Sequence, residues 1–158
     1  MLKSFFDRID RIHPAPEASA HCDGPCGIYD PASARIAGEA VRSMTKKLLA
    51  LELPAAGDAA ATAAYQNTFS RFVAIKEEEA EKAKRELLIL WTDYFKPPHL
   101  KQFPDLHDTF WKAAKLCSAC KVEVSAQHAD ELMDAIEAIH GMFWKSKNRE
   151  VAYYLAGG

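Results

Sequence analysis

Residues 21–29 read His-Cys-Asp-Gly-Pro-Cys-Gly-Ile-Tyr. An imidazole and two thiols fall within six consecutive residues, and Gly24-Pro25 and Gly27 force a tight turn that brings His21, Cys22 and Cys26 together. Three general chemistries use such a cluster: a zinc half-site, a redox cysteine pair, or a loop whose cysteines have no role. Zinc wants a second pair of ligands at C-x₂₋₄-C spacing, and none lies nearby. The redox pair is expected as C-x-x-C beside a βαβ unit, and no strand pattern is present. A fourth reading uses more of the residues. If the chain is cut between Ala20 and His21, the freed α-amine of His21, the amide nitrogen of Cys22 and the thiolates of Cys22 and Cys26 make a planar N₂S₂ set, with the His21 imidazole in reach of an axial position. Tetragonal nitrogen donors suit Ni(II) or Cu(II), and thiolates add soft, strongly donating ligands that favour a higher oxidation state.

The segment before this cluster fits that cut. Phe5, Phe6, Ile9 and Ile12 recur at helical spacing, so residues 2–12 predict a short amphipathic helix, ended by His13-Pro14-Ala15-Pro16. Ala18-Ser19-Ala20 resembles a signal-peptidase site, yet Asp7, Arg8, Asp10 and Arg11 interrupt the apolar centre that export needs. Residues 1–20 are therefore read as a removable leader of a protein that stays in the cytoplasm, which implies a processing peptidase as a partner.

The remainder must position the cluster. In 158 residues, 49% are hydrophobic and 27% charged, the composition of one folded domain. No run of about 18 apolar residues offers a membrane span. With a net charge of −2 there is no basic field for nucleic acid and no polybasic patch for a membrane. Residues 31–158 predict an all-α, antiparallel up-and-down four-helix bundle behind an N-terminal metal-binding hook at residues 21–30. The first helix is expected from about Pro31 to Leu53, with Ile36, Ala40, Met44, Leu48 and Leu51 as its apolar stripe. The second runs from about Ala59 to Lys96 and is stopped by Pro97-Pro98, with Glu78–Lys82 and Glu81–Arg85 pairs along its charged middle. The third spans about Pro104–Lys121. The fourth spans about Ser125–Lys147 and is lined by Leu132, Ile136, Ile139 and Phe143. Cys117 and Cys120 fall on the stripe of Leu106, Phe110 and Ala113 and read as small core hydrophobes. His99, His107, His128 and His140 are scattered, and none is assigned to metal. Tyr29 and Tyr94 read equally as core aromatics with edge hydroxyls or as site residues.

The run His21-Cys22-Asp23-Gly24-Pro25-Cys26-Gly27-Ile28-Tyr29 resembles the H-C-x-x-P-C-G-x-Y "nickel hook" of nickel-containing superoxide dismutases. Asp30 to Ile36 resembles that family's entry into its first helix, Leu90 to His99 resembles its second signature, and Asp105-Leu106-His107 follows in place. The resemblance covers roughly residues 21–147. It implies a four-helix subunit assembled as a homo-hexamer, and nickel held by His21, Cys22 and Cys26. The implied reaction is disproportionation of superoxide to O₂ and H₂O₂ by Ni(II)/Ni(III) cycling. It also implies roles for Tyr29 and Tyr94 beside the metal, for Asp23 in the hydrogen bonds around it, and for Lys96 in drawing in the anion.

Two positions depart from the family pattern. Ala37 stands where a glutamate is usual and Glu79 where an arginine is usual, the two groups that hold the hook imidazole. On a regular helix Glu79 shares a side with Phe72, Ile75, Ala83 and Leu90, which leaves two readings: a tilted helix that exposes it, or an inward carboxylate that accepts the His21 ring N–H. The rival to an enzyme is a helical metal-binding or metal-delivery protein that uses Cys22 and Cys26 without turnover.

Overall fold

The computed structural model describes residues 26–157. Four long helices run α1 (Ala32–Leu49), α2 (Ala59–Ile89), α4 (Leu106–Val122) and α5 (Ala126–Ser146), with a short α3 (His99–Gln102) between the second and the third. α1 packs on α2 and α5, and α4 packs on the same two, so the four close into a ring around one core. This is the expected bundle. Among the described residues no helix is long and apolar enough to cross a membrane.

Local chemistry sets the helix ends. Pro31 occupies the N-cap of α1, and the Asp30 carboxylate accepts the Ala32 N–H at 2.8 Å. Lys46 and Lys47 complement the dipole at the other end of α1. Asp58 caps α2 by accepting the Ala61 N–H at 2.9 Å, and Ser125 caps α5 through the His128 N–H at 3.2 Å. α2 does not continue as α-helix to Lys96. It passes into a π turn over Leu90–Tyr94, after which Phe95 is extended and Pro97-Pro98 ends the run.

The phase of α1 differs from the one its large side chains suggest. Ile36 is 52% exposed, and Ala34, Ala37, Gly38, Val41, Thr45 and Leu48 are buried. The reason is close approach. A Cβ on Gly38 would lie 2.7 Å from Ile136 Cδ1 and 2.9 Å from Met133 Sδ, so α5 lies tight against α1 there. Across the ring, α2 offers Ala80 and Ala83 to the core. Small residues on facing helices bury backbone as well as side chains, and a larger Ile36 is turned outward.

The same correction holds for α2. Its buried side is Lys76, Ala80, Ala83 and Leu87, while Ile75 is 39% exposed and Glu79 half-buried. The ion pairs are also redistributed: Lys82 reaches Glu79 at 3.6 Å, and Glu81 accepts from Lys121 of α4 at 2.8 Å. Lys76 is the least expected core residue. Its ammonium is fully buried and donates to the carbonyls of Cys120, Lys121 (2.9 Å) and Glu123 (3.2 Å), the unpaired end of α4. Desolvation pushes its pKa down, and the three carbonyls together with the α4 dipole offset that cost.

Beyond α5 the chain reverses at Asn148 (φ 53°) and runs back over α1 and α5. Glu39 accepts the N–H groups of Ala156 (2.8 Å) and Gly157 (3.0 Å) and pairs with Arg35, whose guanidinium lies 4.2 Å from the Tyr154 ring centre. His140 meets the Val151 carbonyl at 2.8 Å.

Lys76→Met keeps the aliphatic stem and leaves the end of α4 without a donor. The expected outcome is a loss of about 1–3 kcal/mol in urea unfolding with native helix content unchanged. A midpoint equal to that of the parent would show that the ammonium contributes nothing to stability.

Candidate metal centre

The described chain enters at Cys26. This thiol is free and exposed, and Gly27 follows in the left-handed region (φ 65°) that lets the backbone turn sharply. Tyr29 is the first residue to pack against the core. Its ring meets that of Tyr94 with centroids 5.5 Å apart and planes 54° apart, a favourable tilted aromatic contact. His21, Cys22 and Asp23 lie outside the described residues.

Tyr94 ends the π turn, and its surroundings hold it tightly. Phe95 meets it edge-on at 4.9 Å, Phe143 tilted at 4.6 Å, and His99 stacked at 5.8 Å. Its hydroxyl lies 2.6 Å from the Ser146 hydroxyl, and the Lys147 ammonium sits 5.4 Å from its ring centre. His99 is fixed in turn, because its Nδ1 accepts the Lys96 N–H at 2.9 Å. This explains the π turn physically. One extra residue in the last turn swings Trp91 and Tyr94 relative to a regular α-helix, and π turns recur at functional sites for that reason. Trp91 then stacks on Phe110 at 5.9 Å and donates to His107 Nδ1 at 2.8 Å.

Lys96 is exposed just beyond Tyr94 and lines a cavity of about 380 Å³ with Trp91, Phe95, Leu100 and His107. Lys96 and Lys147 therefore both stand near Tyr94. A second cavity of about 170 Å³ lies between Tyr29, Asp30 and Ser33 on one side and Glu86, Ile89 and Leu90 on the other. Glu79 is two helical turns before Glu86 on the same face of α2, about 10 Å along the axis. Ala37 is fully buried in the core.

The structure thus brings Tyr29, three residues after Cys26, against Tyr94, with Lys96 two residues beyond Tyr94. Glu79 stands farther down α2 with Lys82 as its partner. Ser146, Lys147, Glu86 and His99 were not foreseen. Only His99 carried a local signal, in the Pro97-Pro98-His99 turn. Ser146 is 52 positions from Tyr94, and no spacing rule links them.

The second cysteine pair is a different environment. Cys117 and Cys120 are buried, and desolvation pushes their thiols up to about 12 and about 11. They stay protonated at any ordinary pH and are poor metal ligands. Cys26 is a solvent-reachable sulfur on a turn joined directly to Tyr29, and its chemistry fits a thiophilic metal such as nickel.

Comparison with known proteins decides the family. Residues 16–147 match the family described as nickel-containing superoxide dismutase. The chain belongs to that family. It is 41% identical to "Superoxide dismutase [Ni]" of Streptomyces seoulensis over 85% of this chain and 93% of that protein. It is 37% identical to the protein of the same name from Streptomyces coelicolor, with the same coverage. A solved structure of native nickel superoxide dismutase superposes with a TM-score of 0.70 at 37% identity, covering 81% of this chain and 99% of that one. The activity of the nickel superoxide dismutases is an oxidoreductase reaction with nickel as cofactor, and the non-enzymatic delivery reading finds no support among these relatives. The tail from Asn148 onward lies beyond the family match.

The contrast between the cysteines is measurable. In native protein at mildly alkaline pH, alkylation should modify Cys26 and spare Cys117 and Cys120 until the bundle is unfolded. The Cys117→Ala, Cys120→Ala double variant should keep its nickel and lose only packing stability, about 1–3 kcal/mol, whereas Cys26→Ser should lose the redox-active nickel. Loss of nickel from the double variant would place the second pair in the metal site.

Proposed function

We propose that this chain disproportionates superoxide, 2 O₂⁻ + 2 H⁺ → O₂ + H₂O₂, at a nickel site completed by cleavage before His21. The observation that best supports this reading is the packing of Tyr29, three residues after Cys26, against Tyr94 at 5.5 Å, which ties the end of the hook motif to the bundle. His21, Cys22 and Cys26 would hold the metal. Nickel supplies the one-electron exchange with superoxide, which thiolate and amide donors bring into range.

The remaining chemistry belongs to the protein. Tyr29 and Tyr94 form an aromatic wall over the hook and restrict what reaches the sulfur ligands. Asp23 contributes hydrogen bonds around the hook. Lys96, exposed beyond Tyr94, draws the anion by raising its local concentration, an effect that fades with ionic strength. Glu79, two turns below Glu86 and half-buried, is assigned to the His21 ring N–H in place of the usual glutamate and arginine pair. Its pairing with Lys82 is partly solvent-exposed and weak enough to be exchanged for that contact. Assembly of several copies as a hexamer is taken from the family resemblance. A leader with charges through its apolar centre supports processing in the cytoplasm by a dedicated peptidase.

In the 158-residue chain the nitrogen of His21 is a peptide amide, which cannot act as an amine ligand. Supplied with nickel, that chain should show no dismutase activity, and a chain beginning at His21 should show it. Equal activity from both would overturn the amine assignment.

Glu79→Ala in the processed, nickel-loaded protein should lower turnover about 10–100-fold with both thiolates still bound. A fully active variant, with Glu79 directed to solvent in the parent, would remove Glu79 from the site.

A further inference from the structure

Tyr94 does not hold its place by ring packing alone. The Ser146 hydroxyl, at the last residue of α5, donates to the Phe143 carbonyl at 2.6 Å. A serine has one proton, so that bond leaves Ser146 Oγ only as an acceptor. The Tyr94 hydroxyl lies 2.6 Å from the same oxygen and must therefore be the donor. The chain of bonds runs one way: Tyr94 O–H to Ser146 O–H to the Phe143 carbonyl. Lys147, the next residue, closes over the faces of Tyr94 and Phe143 with its ammonium 5.4 and 4.7 Å from the two ring centres. The end of α5 thus grips Tyr94 by its hydroxyl and by its ring.

We infer that Ser146 is a positioning residue for the superoxide reaction, and that through it Tyr94 faces the hook as a hydrogen-bond acceptor rather than as a proton donor. With its proton committed to Ser146, the Tyr94 oxygen has only lone pairs left for a further partner such as a water. The proton that completes H₂O₂ then comes from another group. This inference rests on the placement of Tyr94 in the site proposed above, and one of its readouts does not depend on turnover.

The test uses processed, nickel-loaded protein with Ser146→Ala and Ser146→Thr, each alone and combined with Tyr94→Phe. Threonine keeps the hydroxyl and alanine removes it. Ser146→Ala is expected to lower the rate per bound nickel about 10-fold, in the range for residues that orient a site, and Ser146→Thr to restore it. In the Tyr94→Phe background Ser146→Ala should cost nothing more, since the two groups act as a unit. Independently of activity, NMR of ¹³C-tyrosine-labelled reduced protein should show the Tyr94 ring resonances shifted in Ser146→Ala and preserved in Ser146→Thr. Equal rates and equal Tyr94 spectra in the alanine and threonine variants, or additive losses in the double variant, would overturn the inference. So would unfolding of Ser146→Ala, which would make the hydroxyl structural. A shifted Tyr94 resonance with no dismutase activity in any variant, parent included, would uphold the grip on Tyr94 and refute the proposed function instead.

Discussion

The contact between Tyr29 and Tyr94 is the constraint on which the rest of the site depends. The motif at residues 21–29 is rich in glycine and proline, and among the described residues Tyr29 is the part of it that packs against the core. Its partner Tyr94 is in turn immobilised from four directions, by Phe95, His99, Phe143 and the Ser146 hydroxyl. Those groups come from the residue just after the π turn, the short helix that follows and the end of α5. The end of the hook motif is thereby tied to a rigid helical scaffold.

Small side chains on α1 and α2 let the helices pack closely. Ala34, Ala37, Gly38, Ala80 and Ala83 let α1 approach its neighbours closely, and the close approach decides which residues face out. Position 37 illustrates the coupling. An alanine there completes the packed face of α1 and puts no polar group into the interior at that point. Glu79 on the adjacent helix retains a carboxylate at the edge, where its desolvation cost is small. The fully buried Lys76 shows the opposite solution: a charge kept in the core because three helix-end carbonyls need it.

Much of this was legible in the sequence. The hook motif named the chemistry, and the helix spacing and the proline stops gave four helices whose bounds shift by only a few residues. What escaped was of three kinds. The phases of α1 and α2 were misread because Ile36 and Ile75 outweighed neighbouring alanines, although close packing favours the alanines. The π turn was invisible because Leu90–Tyr94 has ordinary helical composition and the extra residue is imposed by tertiary packing. The grip of Ser146 and Lys147 on Tyr94 joins residues distant in sequence and has no periodic signature at all. The pairing of Glu81 escaped for a related reason: its carboxylate reaches Lys121 on another helix, which no spacing along α2 could show.

The central claim is that the bundle presents a processed hook whose histidine and cysteines bind a redox-active nickel ion. The most direct measurement is electron paramagnetic resonance of the oxidised, nickel-loaded protein, prepared with ordinary histidine and with ¹⁵N-histidine. The account predicts a nickel(III) signal whose nitrogen hyperfine pattern changes on labelling, because His21 is bound to the metal. A nickel(III) signal indifferent to the label, or a processed protein that binds nickel and never yields that signal, would contradict it.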